Sequence, residues 1–285
     1  MKNLTISNHL LDRGVFFLNF LFVVAMILIF YFQLELKYFF YGVIITTFIF
    51  SYLTFSKYRK FSKGIILSNL FIYFYFLYPY IAEFFSQINP QLTNYILILY
   101  TLFLALILLE FLGKKNEVLQ TIYNVNFKRL LQICLFAIPF GILFYLVGEP
   151  IPREIFSIDS SLINTILHAL FVAFLIGVSE QFLFTGFVHN MYSTMTSKVD
   201  AQIQTSILFV LFHMLRIKVI MGSFVLMYNQ FAYLMILCYF LALFIFMNIS
   251  IYLFRGSKHF KGSIVYSVLF HTLVDFILIL TVILS

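Results

Sequence analysis

The chain has 285 residues, of which 63% are hydrophobic and only 10% are charged, and its mean hydropathy is +1.02. Soluble domains carry about 25% charged residues, so a chain this apolar requires lipid as its solvent. The formal net charge is +7, but the basic residues lie in short segments between apolar runs. That distribution is typical of membrane topology signals, so we expect no nucleic acid partner.

Nine apolar runs follow one another along the chain. About 20 apolar residues make one membrane-spanning helix, and these runs lack the alternation of β-barrel strands. They predict an all-α fold, a polytopic transmembrane helix bundle of roughly eight to nine helices. We expect it in a cell membrane, as a multi-pass protein. The frequent use of Phe, Ile, Tyr, Lys and Asn suits an AT-rich bacterium, so the expected location is the bacterial cytoplasmic membrane. The runs lie near 14–32, 38–55, 64–85, 95–112, 130–148, 162–190, 201–215, 223–253 and 262–284.

Basic residues concentrate in three of the loops between these runs, at 57–63, 114–129 and 255–261. Lysine and arginine are enriched on the cytoplasmic side of membranes, so we expect all three loops on that face, with the N-terminus inside. The sixth and eighth runs are longer than one bilayer thickness. We therefore expect each to tilt, to kink or to contain an interfacial piece.

Ionisable side chains interrupt the C-terminal apolar runs, where charge is costly and usually functional. Glu180 lies in the sixth run, His213 in the seventh, and His271 and Asp275 in the last. The last two are four residues apart and therefore share one helix face. We predict that these residues converge on one cavity in the inner half of the membrane. The alternative is that each makes only a structural hydrogen bond to a neighbouring helix.

At these positions the sequence resembles the CAAX protease and bacteriocin-processing family of intramembrane proteases, also called the CPBP or Abi family. Its helical motifs are Glu-Glu-x-x-x-Arg, Phe-x-x-x-His, and His-x-x-x-Asn or Asp. The second and third are complete here, as Phe209-x-x-x-His213 and His271-x-x-x-Asp275. A Gly-Ser pair at 262–263 precedes the third motif, which is similar to the start of that helix in the family.

The first motif departs from the family pattern. Glu180 matches its leading Glu, and Gly186 matches the Gly that commonly follows its Arg. Gln181 replaces the second Glu and Thr185 replaces the Arg. These two positions are four apart, so in the family their side chains can pair on one helix. Replacing both members of a buried charge pair can be nearly neutral, so we interpret the change as a compensated swap.

The resemblance covers 162–285, where we expect an intramembrane protease core. For 1–161 we expect N-terminal transmembrane helices with no recognised motif. The resemblance implies hydrolysis of a peptide bond in a membrane-associated peptide or protein, in peptide maturation or bacteriocin immunity. Because the first motif is changed, the alternative is a catalytically inactive membrane scaffold or immunity protein that binds a partner through the same cavity.

Carried over to this chain, the family mechanism makes Glu180 the general base that activates a water, assisted by His213. His271 would stabilise the oxyanion, and Asp275 would orient His271 or, if protonated, donate a second hydrogen bond. The same four side chains could in principle hold Zn²⁺, but there is no His-Glu-x-x-His spacing, so we favour hydrolysis without a cofactor. The expected partners are membrane lipids and a peptide or membrane protein, as substrate or binding partner.

Overall fold

The computed structural model describes residues 20, 24, 78–88, 90–147, 162–213, 231–257 and 260–284. In these ranges the chain is an all-α helical bundle with almost no strand, as the composition predicts. Most of the predicted runs 14–32 and 64–85, all of the run 38–55 and the loop 57–63 lie outside the described residues.

We label the described helices α1 (Tyr78–Ile88), α2 (Pro90–Leu112), α3 (Lys115–Gln120), α4 (Phe127–Leu146), α5 (Leu162–Glu180), α6 (His189–Ser193), α7 (Lys198–His213), α8 (Ala232–Arg255) and α9 (Ile264–Leu284). A 3-10 turn at Thr121–Tyr123 follows α3, and a π-helical segment at Gln181–Val188 joins α5 to α6. Two short antiparallel strands, β1 (Gly256–Ser257) and β2 (Phe260–Lys261), turn the chain from α8 into α9.

Five described helices are long and apolar enough to cross a membrane, and they identify the chain as a membrane protein. The predicted run 201–215 corresponds to α7. Its 16 described residues rise about 24 Å, less than the thickness of a bilayer core. The five candidate spans are Tyr95–Leu112, Phe127–Leu146, Ile163–Ser193, Ala232–Arg255 and Ile264–Thr281.

The π-helical segment lies within the longest span. From Ile163 to Ser193 the chain forms one helical stretch of 31 residues. Hydrogen bonds in a π-helix reach five residues back, as the His189 N–H does to the Phe184 carbonyl oxygen. All eight residues of the segment are buried. The irregular turn therefore lies inside the bundle, where protein rather than lipid surrounds it.

Helix α9 packs against α4, α5 and α8. Two glycines, one on α4 and one on α5, allow these helices to come close to α9. A Cβ on Gly141 of α4 would lie 2.6 Å from Ile277 Cβ, and one on Gly177 of α5 would lie 2.6 Å from Thr272 Oγ1. Side chains do not tolerate such contacts, so at both places only glycine lets the helices meet.

The Gly-Ser pair before α9 has a structural role. A Cβ on Gly262 would overlap the Phe254 carbonyl oxygen, so the hairpin can close against the end of α8 only with glycine. Ser263 Oγ accepts a hydrogen bond from the Val265 N–H at 3.1 Å and caps the first turn of α9. It also donates to the Thr121 carbonyl oxygen at 2.6 Å, which joins the turn after α3 to the start of α9.

Two of the predicted basic loops, 114–129 and 255–261, therefore lie together at one end of the bundle. The start of α7 joins them there, because the Arg255 side chain donates to the Lys198 carbonyl oxygen at 3.1 Å. We call this the basic end of the bundle. Its described basic residues are Lys114, Lys115, Lys128, Arg129, Lys198, Arg255 and Lys261.

Candidate functional site

Gln181, the first residue of the π-helical segment, is wholly buried. Its Oε1 accepts hydrogen bonds from Thr185 Oγ1, at 2.5 Å, and from Ser267 Oγ. Its Nε2 lies 2.7 Å from His271 Nδ1. Thr185 and Ser267 are also fully buried. One amide therefore links the π-helical segment to two side chains of α9.

This amide determines the tautomer of His271. An amide nitrogen can only donate, so Nδ1 of His271 accepts and a neutral ring carries its proton on Nε2. Nε2 lies 3.3 Å from Asp275 Oδ2 and 3.8 Å from Glu180 Oε2. We call these three residues the acid–histidine cluster. Both contacts are longer than a charge-assisted bond of about 2.7–2.9 Å, so the N–H makes no strong hydrogen bond to either carboxylate and remains able to donate to a stronger acceptor.

The carboxylates of the cluster are more accessible than the imidazole. The Glu180 and Asp275 side chains are 26% and 20% exposed, whereas His271 is 5% exposed. Glu180 is the last residue of α5, and Asp275 lies one turn beyond His271 on α9. The imidazole makes a T-shaped contact with Phe246 of α8, with ring centroids 4.9 Å apart. The imidazole is thus held by the bundle, while the Glu180 and Asp275 side chains are partly exposed and the Glu180 Oε2 atom that faces the imidazole is buried.

His213 is the last described residue of α7. Its Nδ1 lies 2.9 Å from the Phe209 carbonyl oxygen, and since a carbonyl only accepts, this nitrogen carries the proton. In a neutral ring, Nε2 is then the proton acceptor. The ring packs on the Phe209 ring with centroids 4.4 Å apart, and the centroids of the Phe209 and His271 rings are 6.4 Å apart. The structure thus connects His213 to the acid–histidine cluster through the Phe209 ring.

The two departures from the family motif, Gln181 and Thr185, are in contact, as their spacing predicts. Sequence reasoning missed Ser267. Its signal is the spacing 267, 271 and 275, which places it on the same face of α9 as the cluster residues. Gly186 has room for a side chain, because an added Cβ would lie 3.5 Å from Leu109 Cδ1, an ordinary contact.

Zinc is the cofactor alternative that the sequence raises. In the described ranges, no group of three or more His, Cys, Asp or Glu side chains is arranged to hold a metal ion. Because the Gln181 amide donates to Nδ1 of His271, the neutral ring carries its proton on Nε2, the nitrogen that faces the carboxylates, and a protonated nitrogen cannot bind a metal ion. The described side chains as they stand do not fit a three-ligand zinc centre of a hydrolase.

Comparisons of the chain with protein-family models, with curated proteins and with solved structures gave no match. The family resemblance therefore depends on the motif residues alone. What bears on function is the geometry of those residues.

Proposed function

We propose that this chain is an intramembrane endopeptidase of the CPBP type, which hydrolyses a peptide bond in a membrane-associated peptide or protein. One observation carries the proposal: Glu180 lies 3.8 Å from the Nε2 of His271, whose other nitrogen is bonded to a buried amide. A partly exposed carboxylate beside an imidazole of fixed tautomer supplies a proton acceptor and a proton donor at one point. Hydrolysis by general-base catalysis requires both.

In the proposed reaction, Glu180 accepts a proton from a water as the water oxygen attacks the substrate carbonyl carbon. The Nε2 of His213 assists as a second proton acceptor. The charge that develops on the carbonyl oxygen is stabilised by the Nε2–H of His271, which leaves its long contact with Asp275 for the oxyanion. Glu180 then passes its proton to the leaving amine, and the peptide bond breaks.

The alternative function is a catalytically inactive membrane scaffold or immunity protein that binds its partner through the same site. Gln181 favours it, because a neutral amide replaces a motif carboxylate and both ends of the amide are engaged in hydrogen bonds. The proposed process is peptide maturation or immunity to bacteriocins in the first case, and immunity or assembly in the second.

Cleavage in water enriched in oxygen-18 tests the proposal. The purified chain is incubated in detergent with membrane-associated peptides, and mass spectrometry detects the products. We expect the heavy isotope in the new carboxyl terminus of each cleaved peptide. Glu180→Gln should lower the cleavage rate by about 10²–10⁴-fold, the usual contribution of a general base, without lowering the melting temperature.

The matched control is Glu117→Gln, the same chemical change in a side chain that is 64% exposed at the basic end. It should cleave at the rate of the wild type. Full activity of the Glu180→Gln variant would remove Glu180 from the mechanism. A wild type that binds a peptide tightly and never cleaves it would favour the scaffold.

A further inference from the structure

A cavity of about 560 Å³ lies at the basic end, between the segment 123–132 and the residues from β2 to the start of α9. Its lining includes Lys128, Arg129 and Lys261. Among the described residues, none that lines it is acidic. Three positive charges therefore share one concave surface.

Within the described ranges, the basic residues that line the cavity differ from the neighbouring lysines because they form no ion pair. Lys114 and Lys115, which do not line the cavity, are paired with carboxylate oxygens at 2.6 and 3.1 Å. Within the described ranges, no carboxylate lies within ion-pair distance of Lys128, Arg129 or Lys261. The described chain thus neutralises the lysines beside the cavity and leaves the cavity itself positive, which favours an anion from outside.

Side chains next to the cavity indicate that it lies at the membrane surface. Tyr123 and Phe127 are 87% and 82% exposed, and both precede Lys128 and Arg129 on the same segment. Exposed aromatic rings beside lysine and arginine are typical of the membrane–water interface. Helix α4, a candidate span, also begins at Phe127. The cavity therefore lies where this helix leaves the apolar layer.

The walls of the cavity are fixed by contacts between distant parts of the chain. The Tyr266 hydroxyl accepts from the Asn126 N–H at 2.7 Å and donates to the Asn124 carbonyl oxygen at 3.1 Å. The Arg129 guanidinium lies 4.6 Å from the centre of the Phe260 ring, a cation–π contact. Because the walls and one cation are already in place, a ligand would lose little free energy to ordering them.

We propose that this cavity binds the phosphate headgroup of an anionic phospholipid in the leaflet at the basic end. Basic pockets beside membrane-spanning helices bind such headgroups. A free phosphate has the same charge chemistry. The exposed rings of Tyr123 and Phe127 favour the lipid, because only a lipid brings acyl chains to them. The site is separate from the acid–histidine cluster and does not depend on the proposed hydrolysis.

A lipid titration of the purified full chain tests this inference. Short-chain phosphatidylglycerol, short-chain phosphatidylcholine and inorganic phosphate are added in detergent, and binding is followed by the rise in melting temperature. Of these three compounds, we expect only phosphatidylglycerol to bind. Lys128→Gln combined with Lys261→Gln should weaken it by about 25-fold, since each basic residue at an anionic surface contributes about a factor of five.

The control variant combines Lys114→Gln with Lys115→Gln, which removes the same charge from the same end of the bundle. It should weaken binding by less than about twofold, since both lysines already have carboxylate partners. If the first double variant does not fold, its single variants, each expected at about fivefold, replace it.

Equal weakening in the two double variants would overturn the inference, because attraction to the whole basic end would then explain the binding. So would unchanged binding after the loss of Lys128 and Lys261. Binding of inorganic phosphate that depends on these two lysines as strongly as lipid binding does would show that the occupant is a free anion.

Discussion

Replacement of Gln181 by leucine should destabilise the bundle far more than the same replacement at Gln204. The side-chain amide of Gln181 is wholly buried and bonds to Thr185, Ser267 and His271. Leucine has a similar size but no polar atom. The substitution therefore removes one hydrogen-bond partner from each of three buried groups.

Each buried polar group left without a partner costs about 1–3 kcal/mol. The sum for three groups is about 3–9 kcal/mol, but serine and threonine hydroxyls in a helix can turn to a backbone carbonyl one turn earlier. We therefore expect the free energy of unfolding to fall by about 3–5 kcal/mol. Gln204 is 8% exposed, and its Oε1 has no hydrogen-bond partner in the described ranges. Leucine there should change stability by less than about 1 kcal/mol.

Thermal unfolding of the wild type and both variants in one detergent, followed by circular dichroism, measures the difference. The same samples, with ¹⁵N-labelled histidine, report the tautomer of His271 by NMR. The wild type should show the proton on Nε2, and Gln181→Leu should lose that preference. Equal destabilisation at Gln181 and Gln204, or a wild-type proton on Nδ1, would refute the hydrogen-bond argument.

Three further outcomes are expected. Gly177→Ala should lower the free energy of unfolding by about 1–3 kcal/mol through overpacking, whereas Gly186→Ala should leave it unchanged or raise it by up to about 1 kcal/mol. Melting temperatures of the two variants test this, and equal losses of stability would contradict the packing argument. Thr185→Arg should lower the folded yield, and adding Gln181→Glu should recover much of it; simply additive effects in the double-mutant cycle would mean that the positions do not interact. Cleavage, where observed, should survive chelators; a loss restored by Zn²⁺ alone would favour a zinc enzyme.

Much of the architecture was predictable because lipid leaves the chain few choices. A backbone in lipid must satisfy its own hydrogen bonds, so long apolar runs can only be helices. Polar side chains in such helices need partners, and the four-residue spacing of His271 and Asp275 places them on one face. The same spacing argument predicted the contact between Gln181 and Thr185. For the described ranges, these contacts follow from rules that act within a single helix.

Other features could not be predicted, because they depend on contacts between distant segments or on small energy differences. An apolar run has the same appearance whether it forms an α-helix or a π-helix, so the segment Gln181–Val188 left no signal. The hydroxyl of Ser267 can bond its own backbone as readily as Gln181, and only the packing of two helices decides. The basic cavity depends on Tyr266 meeting Asn126, residues 140 positions apart.

The π-helical segment gives the longest span a place where a single residue can be gained or lost. A π-turn contains one residue more than an α-turn, so deleting one residue within Gln181–Val188 would allow the segment to close as an ordinary α-helix. Because the wide turn already holds the extra residue, the side chains after the segment would keep nearly the same orientation relative to α5. In a lineage of such proteins, one small deletion could therefore change the side chains that face α9 from this segment while the helices on both sides of it keep their packing.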